Sequence, residues 1–265
     1  MNATERKMLD LLKKMKNEYG ALAVKAEFEA EGTRTSELMM LNEVIFRADM
    51  ELFIKIGGCE AVRDLEQCRT LGAGGIMAPM IETPFAMKKF RGAGRRVCAN
   101  REDIEWIINA ETITCHQNLE EILSEGKDFL NTIVIGRVDY TASMGLDRTA
   151  VNGENMRRQS IDIAKKAKKC GVRVGIGGGI STDAIPFLQE VYPLMDRFET
   201  RKVVFSASTE EHILRGGITD AMEFEMLYLQ NKFKYYDQIA KEDSNRLKML
   251  EDRLRKAENC GLASR

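Results

Sequence analysis

Seven short apolar runs recur along the chain, ALAVKAEF, ELFIKIGG, GGIMAPMI, EWIINAE, NTIVIGR, VRVGIGGG and RKVVFSAS. Amphipathic stretches such as TSELMMLNEVIFRADM, CEAVRDLEQCRTLG, CHQNLEEILSEG and ENMRRQSIDIAKKAKKCG separate them. This alternation is the strongest constraint on the fold. Antiparallel neighbours need only a tight turn, whereas parallel neighbours need a crossover of a dozen or more residues, usually a helix. The runs are apolar on both faces, so their sheet is buried on both sides. With 265 residues to use, a parallel barrel wrapped by helices is favoured over an open doubly wound sheet. A complete barrel has one strand more than these runs supply. VCAN (97–100) or the segment around Tyr19 to Ala23 is predicted to provide it.

The N-terminal stretch MNATERKMLDLLKKMKNEYG has helical spacing without the apolar core or small-residue cleavage site of a signal peptide. From Thr219 to Lys256 the pattern is again helical, punctuated by Phe224, Leu227, Ile239, Leu247, Leu250 and Leu254. The expected organisation is a barrel with an N-terminal helix over residues 1–218 and a helical extension over 219–265. The early part of that extension is expected to pack on the barrel or on a second subunit.

Charge excludes several partners. Forty basic residues against 41 acidic ones leave a net charge of −1, which gives no global field to attract nucleic acid. No run approaches the length of a membrane span. The six cysteines are dispersed without CxxC spacing, which predicts reduced thiols and a cytoplasmic location. The only two histidines, His116 and His212, leave little material for a histidine-rich metal site.

In a parallel barrel the site lies at the C-terminal strand ends. Inspecting those ends together gives Glu27, Glu29 and Glu31 after the first strand, Lys55 on the second, Glu82 and Thr83 after the third, Glu111 and Thr112 after the fourth, and Arg137 and Asp139 after the fifth. Carboxylates converging on one mouth repel unless a cation intervenes, and an oxygen-only set favours a hard divalent ion such as Mg²⁺ or Mn²⁺. Asp139 by itself is equally readable as a turn or helix cap. Three glycines in VGIGGGIST (174–182) are readable either as a ligand loop, with Gly177 and Gly178 against a substrate, or as tight-turn sterics.

Two segments carry a family resemblance. NAETITCHQNLEEILS followed by TIVIGRVDYTASMG, with LFIKIGGCEAVRDLEQCRTLGAGGIMAPMIET before them, resembles the HpcH/HpaI aldolase and citrate lyase beta-subunit family over roughly residues 25–150. The resemblance implies a (β/α)₈ barrel, commonly a homo-oligomer, that makes or breaks carbon–carbon bonds through a pyruvate-type or acyl-CoA-derived enolate. It places the metal-binding acids at Glu111 and Asp139, and backbone N–H groups of Gly136 to Val138 on the substrate carboxylate. Lys55 stands where aldolase members have arginine, and Gly32 stands where they have the histidine of an acid–histidine pair. Lys55, Glu29, Glu31 and Arg137 are accordingly the candidate catalytic groups, with Glu29 or Glu31 standing in for the missing base and Arg137 gripping a second acid group. Glu82 is expected to support the metal ligands or the substrate. The expected activity is a metal-dependent lyase or aldolase acting on a small 2-oxo acid or related acyl compound. A non-catalytic ligand-binding barrel, or a phosphate-binding isomerase or synthase resting on the glycine loop, are the alternatives.

Overall fold

The computed structural model describes residues 1–99 and 102–262. Eight strands close into one barrel in sequence order: β1 (Ala21–Glu27), β2 (Glu51–Lys55), β3 (Gly75–Ala78), β4 (Glu105–Ala110), β5 (Thr132–Gly136), β6 (Arg173–Gly177), β7 (Arg197–Glu199) and β8 (Val203–Ser206). Helices cover the outside: α1 (Ala3–Tyr19) precedes β1, and α2 (Thr35–Arg47), α3 (Val62–Leu71) and α4 (Pro84–Val97) follow the first three strands. Next come the short α5 (Ile113–Gln117) and α6 (Leu119–Glu125), α7 (Arg137–Ser143), α8 (Glu154–Lys169), α9 (Ile185–Val191) and α10 (Glu211–Leu262). This is the (β/α)₈ plan with a long C-terminal helix.

One strand breaks the parallel rule. β1 to β7 pair in parallel, but β8 is antiparallel to both β7 and β1. Only residues 200–202 separate β7 from β8, too few for a crossover, so the chain must reverse. Thr200 makes the turn: its backbone N–H donates to the Val203 carbonyl at 2.9 Å, and its hydroxyl accepts from Val203 N–H at 3.0 Å. The strand missing from the apolar pattern is therefore Arg197–Glu199, not Tyr19–Ala23, which overlaps β1, nor the segment at 97–100. Val97 and Cys98 close α4, and Asn100 lies outside the described residues. Arg197 and Glu199 point into the barrel, so both inward positions of β7 are charged, and no apolar residue marks the strand on that face.

The barrel interior is layered. Ala23, Phe53, Met77, Ile107, Val134 and Val204 form a buried cluster inside the strands, separate from the larger core between strands and helices. Strand alternation puts Lys25 and Glu27, Lys55, Asn109 and Glu111 on the inward face above this plug.

The expected boundary at residue 218 does not interrupt the backbone: α10 starts at Glu211. Gly216 and Gly217 disguise this start. A Cβ on Gly216 would come within 2.6 Å of the Tyr19 ring, so glycine is kept there for close approach of α10 to α1 despite its helix cost. No helix among the described residues is long and apolar enough to cross a membrane.

Candidate active site

Glu111 leaves β4 pointing into the barrel mouth and is 2% exposed. Its two oxygens are held separately: Oε1 accepts the Met80 backbone N–H at 3.1 Å, and Oε2 accepts Asn109 Nδ2 at 2.9 Å. Met80 can donate there because its backbone is in the left-handed region, at φ 52°. Gly136 faces Glu111 across the β4–β5 pair, where any Cβ would sit 2.8 Å from the Glu111 Cβ. Burial raises the Glu111 carboxyl above its ordinary range; Lys55, Asn109 and Met80 oppose that rise, and the charge of Asp139 adds to it.

Asp139 sits in the first turn of α7 and is exposed. The cap of α7 is Gly136, with no side-chain cap bond, so Asp139 is not spent on capping. The fourth and fifth strands thus bring one buried and one open carboxylate into electrostatic contact.

Lys55 comes up beside them from β2. Its ammonium lies 3.6 Å from Glu27 Oε1, and its charge acts on both Glu111 and Glu199. Below it, Lys25 Nζ donates to Glu199 Oε2 at 2.8 Å, and Arg197 Nε lies 3.3 Å from Glu199 Oε1. Arg197 in turn reaches Glu105 at 2.7 Å on the barrel floor. A column of alternating charge therefore runs down the barrel axis. Lys25, Asn109 and Glu199 are residues that motif reading passes over, and Glu27 figures there only as one of the strand-end acids. Lys25 and Glu27 had a signal, since they alternate with Val24 and Ala26 on a strand whose other face is core.

Glu82 accepts the Thr112 hydroxyl at 2.7 Å, and its carbonyl accepts from Asn118. It ties the β3 exit to the residue after Glu111, a supporting place.

Other candidates are brought elsewhere. Arg137 is fully buried and its guanidinium is consumed by four acceptors: the carbonyls of Gly177 (3.1 Å), Gly178 (2.8 Å) and Val151 (3.4 Å), and Asn152 Oδ1 (2.8 Å). It also stacks on Phe187 at 4.4 Å, and burial lowers its pKa to about 9. These bonds pin the loop after β6 to the turn after β5, where the sequence reading expects Arg137 to grip a second acid group. The glycine loop is explained by the same packing. Gly178 has φ +73°, and a Cβ there would lie 2.7 Å from the backbone nitrogens of Arg137 and Val138. Gly177 is buried against Val134, and Val138 is half-buried against Gly179. Sterics thus require glycine at 178, whereas a Cβ at Gly177 would meet Val134 at 3.3 Å.

Glu31 is tied into ion pairs rather than left open at the mouth. Both of its oxygens are engaged, one by Lys202 and the other by Arg201 Nε at 3.1 Å, so it clamps the β7–β8 turn. Glu29 is exposed and lies over Gly57. Gly32 has φ +57° with nothing near its missing Cβ. His116 lies away from the mouth, bonded to Tyr140 OH at 2.7 Å and Asp162 at 2.8 Å.

A closed barrel with paired acids and a lysine at the C-terminal strand ends defines the class: a barrel of the kind that carries enzyme sites at its mouth. Residues 27–179 match the model of the HpcH/HpaI aldolase/citrate lyase family, and the chain belongs to that family. Solved structures share the fold at low identity. An HpcH/HpaI aldolase from Desulfitobacterium hafniense is 12% identical, with a TM-score of 0.60 over 72% of this chain and 82% of that one. An HpcH/HpaI aldolase/citrate lyase family protein from Burkholderia cenocepacia is 16% identical, with a TM-score of 0.59 over 83% and 90%. A variant of the citrate synthase SbnG is 12% identical, with a TM-score of 0.55 over 83% and 97%. No curated protein matches the chain.

Proposed function

We propose that this chain is a metal-dependent carbon–carbon lyase or aldolase acting on a 2-oxo acid of the pyruvate type or a related acyl compound. The observation that carries the reading is the Glu111–Asp139–Lys55 constellation: a buried carboxylate pressed by a second carboxylate, with one cation beside them. Two carboxylates with open positions suit Mg²⁺ or Mn²⁺, which take one or two acids and complete their shell with water and substrate oxygens. No group of three or more His, Cys, Asp or Glu side chains poised for a metal exists among the described residues, so Glu111 and Asp139 alone would hold the ion. When bound, it would polarise a keto group whose neighbouring carboxylate it also engages.

The protein's own groups supply the rest. Lys55 stabilises negative charge developing on the substrate's keto oxygen. Met80 N–H and Asn109 fix the Glu111 carboxylate, as outer partners of metal ligands do. Glu27, paired with Lys55, replaces Glu29 and Glu31 as the acid best placed for proton transfer. A fold neighbour named as a citrate synthase is in keeping with carbon–carbon chemistry, though its fold alone carries no activity over.

Titration of Mn²⁺ tests the site. Glu111→Gln should weaken binding at least about tenfold, and binding to the wild type should weaken as acid protonates the ligands. The same variant should melt higher than wild type without metal. A carboxyl whose folded pKa is raised favours the fold fully below its unfolded pKa and loses that contribution as pH rises through the folded value, so at neutral pH the uncharged amide removes a cost. Asn109 accommodates it: its Oδ1 is buried without a partner, and rotation of that amide would let Oδ1 accept from the introduced NH₂. Equal Mn²⁺ affinities in the two proteins would remove Glu111 from the metal.

A second reading rests on Gly32 and the engagement of Glu31: a barrel that binds the same ligands without turnover. Solvent exchange of pyruvate methyl protons separates the two. The enzyme should exchange them with Mn²⁺ present and lose the activity in Glu27→Gln; a binding protein should bind pyruvate or oxalate without exchange.

A further inference from the structure

Among the described residues, the second half of α10 makes hydrogen bonds and ion pairs only within itself. α10 runs upward along α1, so Asn231 meets Asn2 at 2.8 Å near the start of α1, and the helix then continues to Leu262. At 1.5 Å per residue this leaves a stalk of about 45 Å beyond the barrel.

That stalk carries a repeat. Met222, Met226, Leu229, Phe233, Tyr236, Ala240, Asp243, Leu247, Leu250, Leu254 and Ala257 follow one another at alternating intervals of four and three residues. This is the a/d pattern of a coiled coil, sustained for about five heptads. Most of the stripe is exposed rather than turned to the barrel, with Phe233 72%, Leu247 59% and Leu254 64% exposed, whereas Tyr236 is half-buried, donating its hydroxyl to Glu37 with Arg34 over its ring. The barrel-facing residues are a different set, Leu214, Ile218, Ala221, Phe224 and Tyr228.

We propose that the occupant of this stripe is a second copy of the chain, joined as a parallel, in-register two-stranded coiled coil. The flanking charges select that partner. With Leu247 at an a position, the g flank holds Glu225, Lys232, Ile239, Arg246 and Arg253, basic toward its end, and the e flank holds Gln230, Asp237, Ser244 and Glu251. In a parallel pair each g residue meets the e residue five positions on in the other copy, which matches Arg246 with Glu251; Lys232 and Asp237 stand in the same relation but are already paired within the chain, with Glu37 at 3.0 Å and Lys241 at 2.6 Å. An antiparallel pair would set the basic flank against itself and the acidic flank against itself. Arg246 and Glu251 have no ion-pair partner among the described residues. Asp243 is the one charge on the seam. In register it meets its own counterpart and the two like charges repel, a cost that the apolar positions around it must outweigh. This inference is independent of the catalytic reading.

Analytical ultracentrifugation of the full chain at about 50 μM tests it, a concentration at which five heptads suffice for pairing. Wild type should sediment at twice the 30.0 kDa chain mass. Leu247→Glu/Leu254→Glu should fall to the single-chain mass with an unchanged melting temperature, since neither side chain touches the barrel. Arg246→Glu should weaken association about tenfold, and Arg246→Glu/Glu251→Arg should restore it. Ala240→Cys should cross-link on oxidation above the wild-type background. A single-chain mass for wild type, or an assembly that survives Leu247→Glu/Leu254→Glu, overturns the proposal. A dimer that Ala240→Cys fails to cross-link, or that Arg246→Glu does not weaken, overturns the parallel register.

Discussion

Lys55→Met is expected to slow metal-dependent exchange of pyruvate methyl protons by about a hundredfold or more, the scale of removing one preorganised partner of a developing charge. Lys55 is a cation fixed inside the barrel mouth, between Glu27 at 3.6 Å and the field of Glu111. It costs no reorganisation when negative charge moves onto the substrate oxygen. Methionine keeps much of the length and volume but removes the charge. Mn²⁺ affinity should be little changed, because Lys55 is not a ligand and its loss only takes a competing cation from beside Glu111. That split, with rate falling while metal binding holds, distinguishes a charge-stabilising role from a structural one. A variant that exchanges protons at the wild-type rate would take Lys55 out of the chemistry. Lys55→Arg should recover part of the rate, since arginine is what aldolases of this family carry at the matching position. If wild type neither exchanges those protons nor binds pyruvate or oxalate, the pyruvate version of the function fails.

Glu199→Gln is expected to destabilise the fold by about 3–5 kcal/mol, the range for breaking a buried ion pair by removing one partner. Glu199 is fully buried between Lys25 and Arg197. Burial alone would raise its carboxyl. Lys25 and Arg197 outweigh that and hold it below the ordinary carboxylate range. The sign for stability follows from linkage. The contribution is present above the unfolded carboxylate pKa, about 4.5, and is lost as pH falls through the lower folded value. Wild type should therefore lose stability in acid more steeply than Glu199→Gln, as read from urea midpoints between about pH 6 and pH 3. Removing both charges in Lys25→Met/Glu199→Leu should recover much of the loss, because Lys25 leaves with its partner and Arg197 keeps Glu105 at 2.7 Å. Equal destabilisation by the single and double variants would show that shape, not charge, matters there.

The β/α alternation alone called for a barrel, since apolar strands separated by amphipathic helices have few other ways to bury both faces of a sheet. The strand-end acids were equally legible. Glu111 and Asp139 lie one β/α unit apart, and a closed barrel makes such units neighbours. Other features depend on what each side chain meets across the fold, which local sequence does not encode. Arg137 stands next to Gly136 and looks like a mouth residue, but α7 begins at once and swings it into a cage of carbonyls. Glu31 is read as a free acid until the β7–β8 hairpin brings Arg201 and Lys202 onto it across 170 and 171 residues of sequence. β7 was invisible because its inward residues are charged, and their burial is made tolerable by Lys25, which lies far away in the chain. The heptad of α10 is written in the sequence. Whether its stripe is core or surface was decided only when the barrel turned out to use the helix's other side.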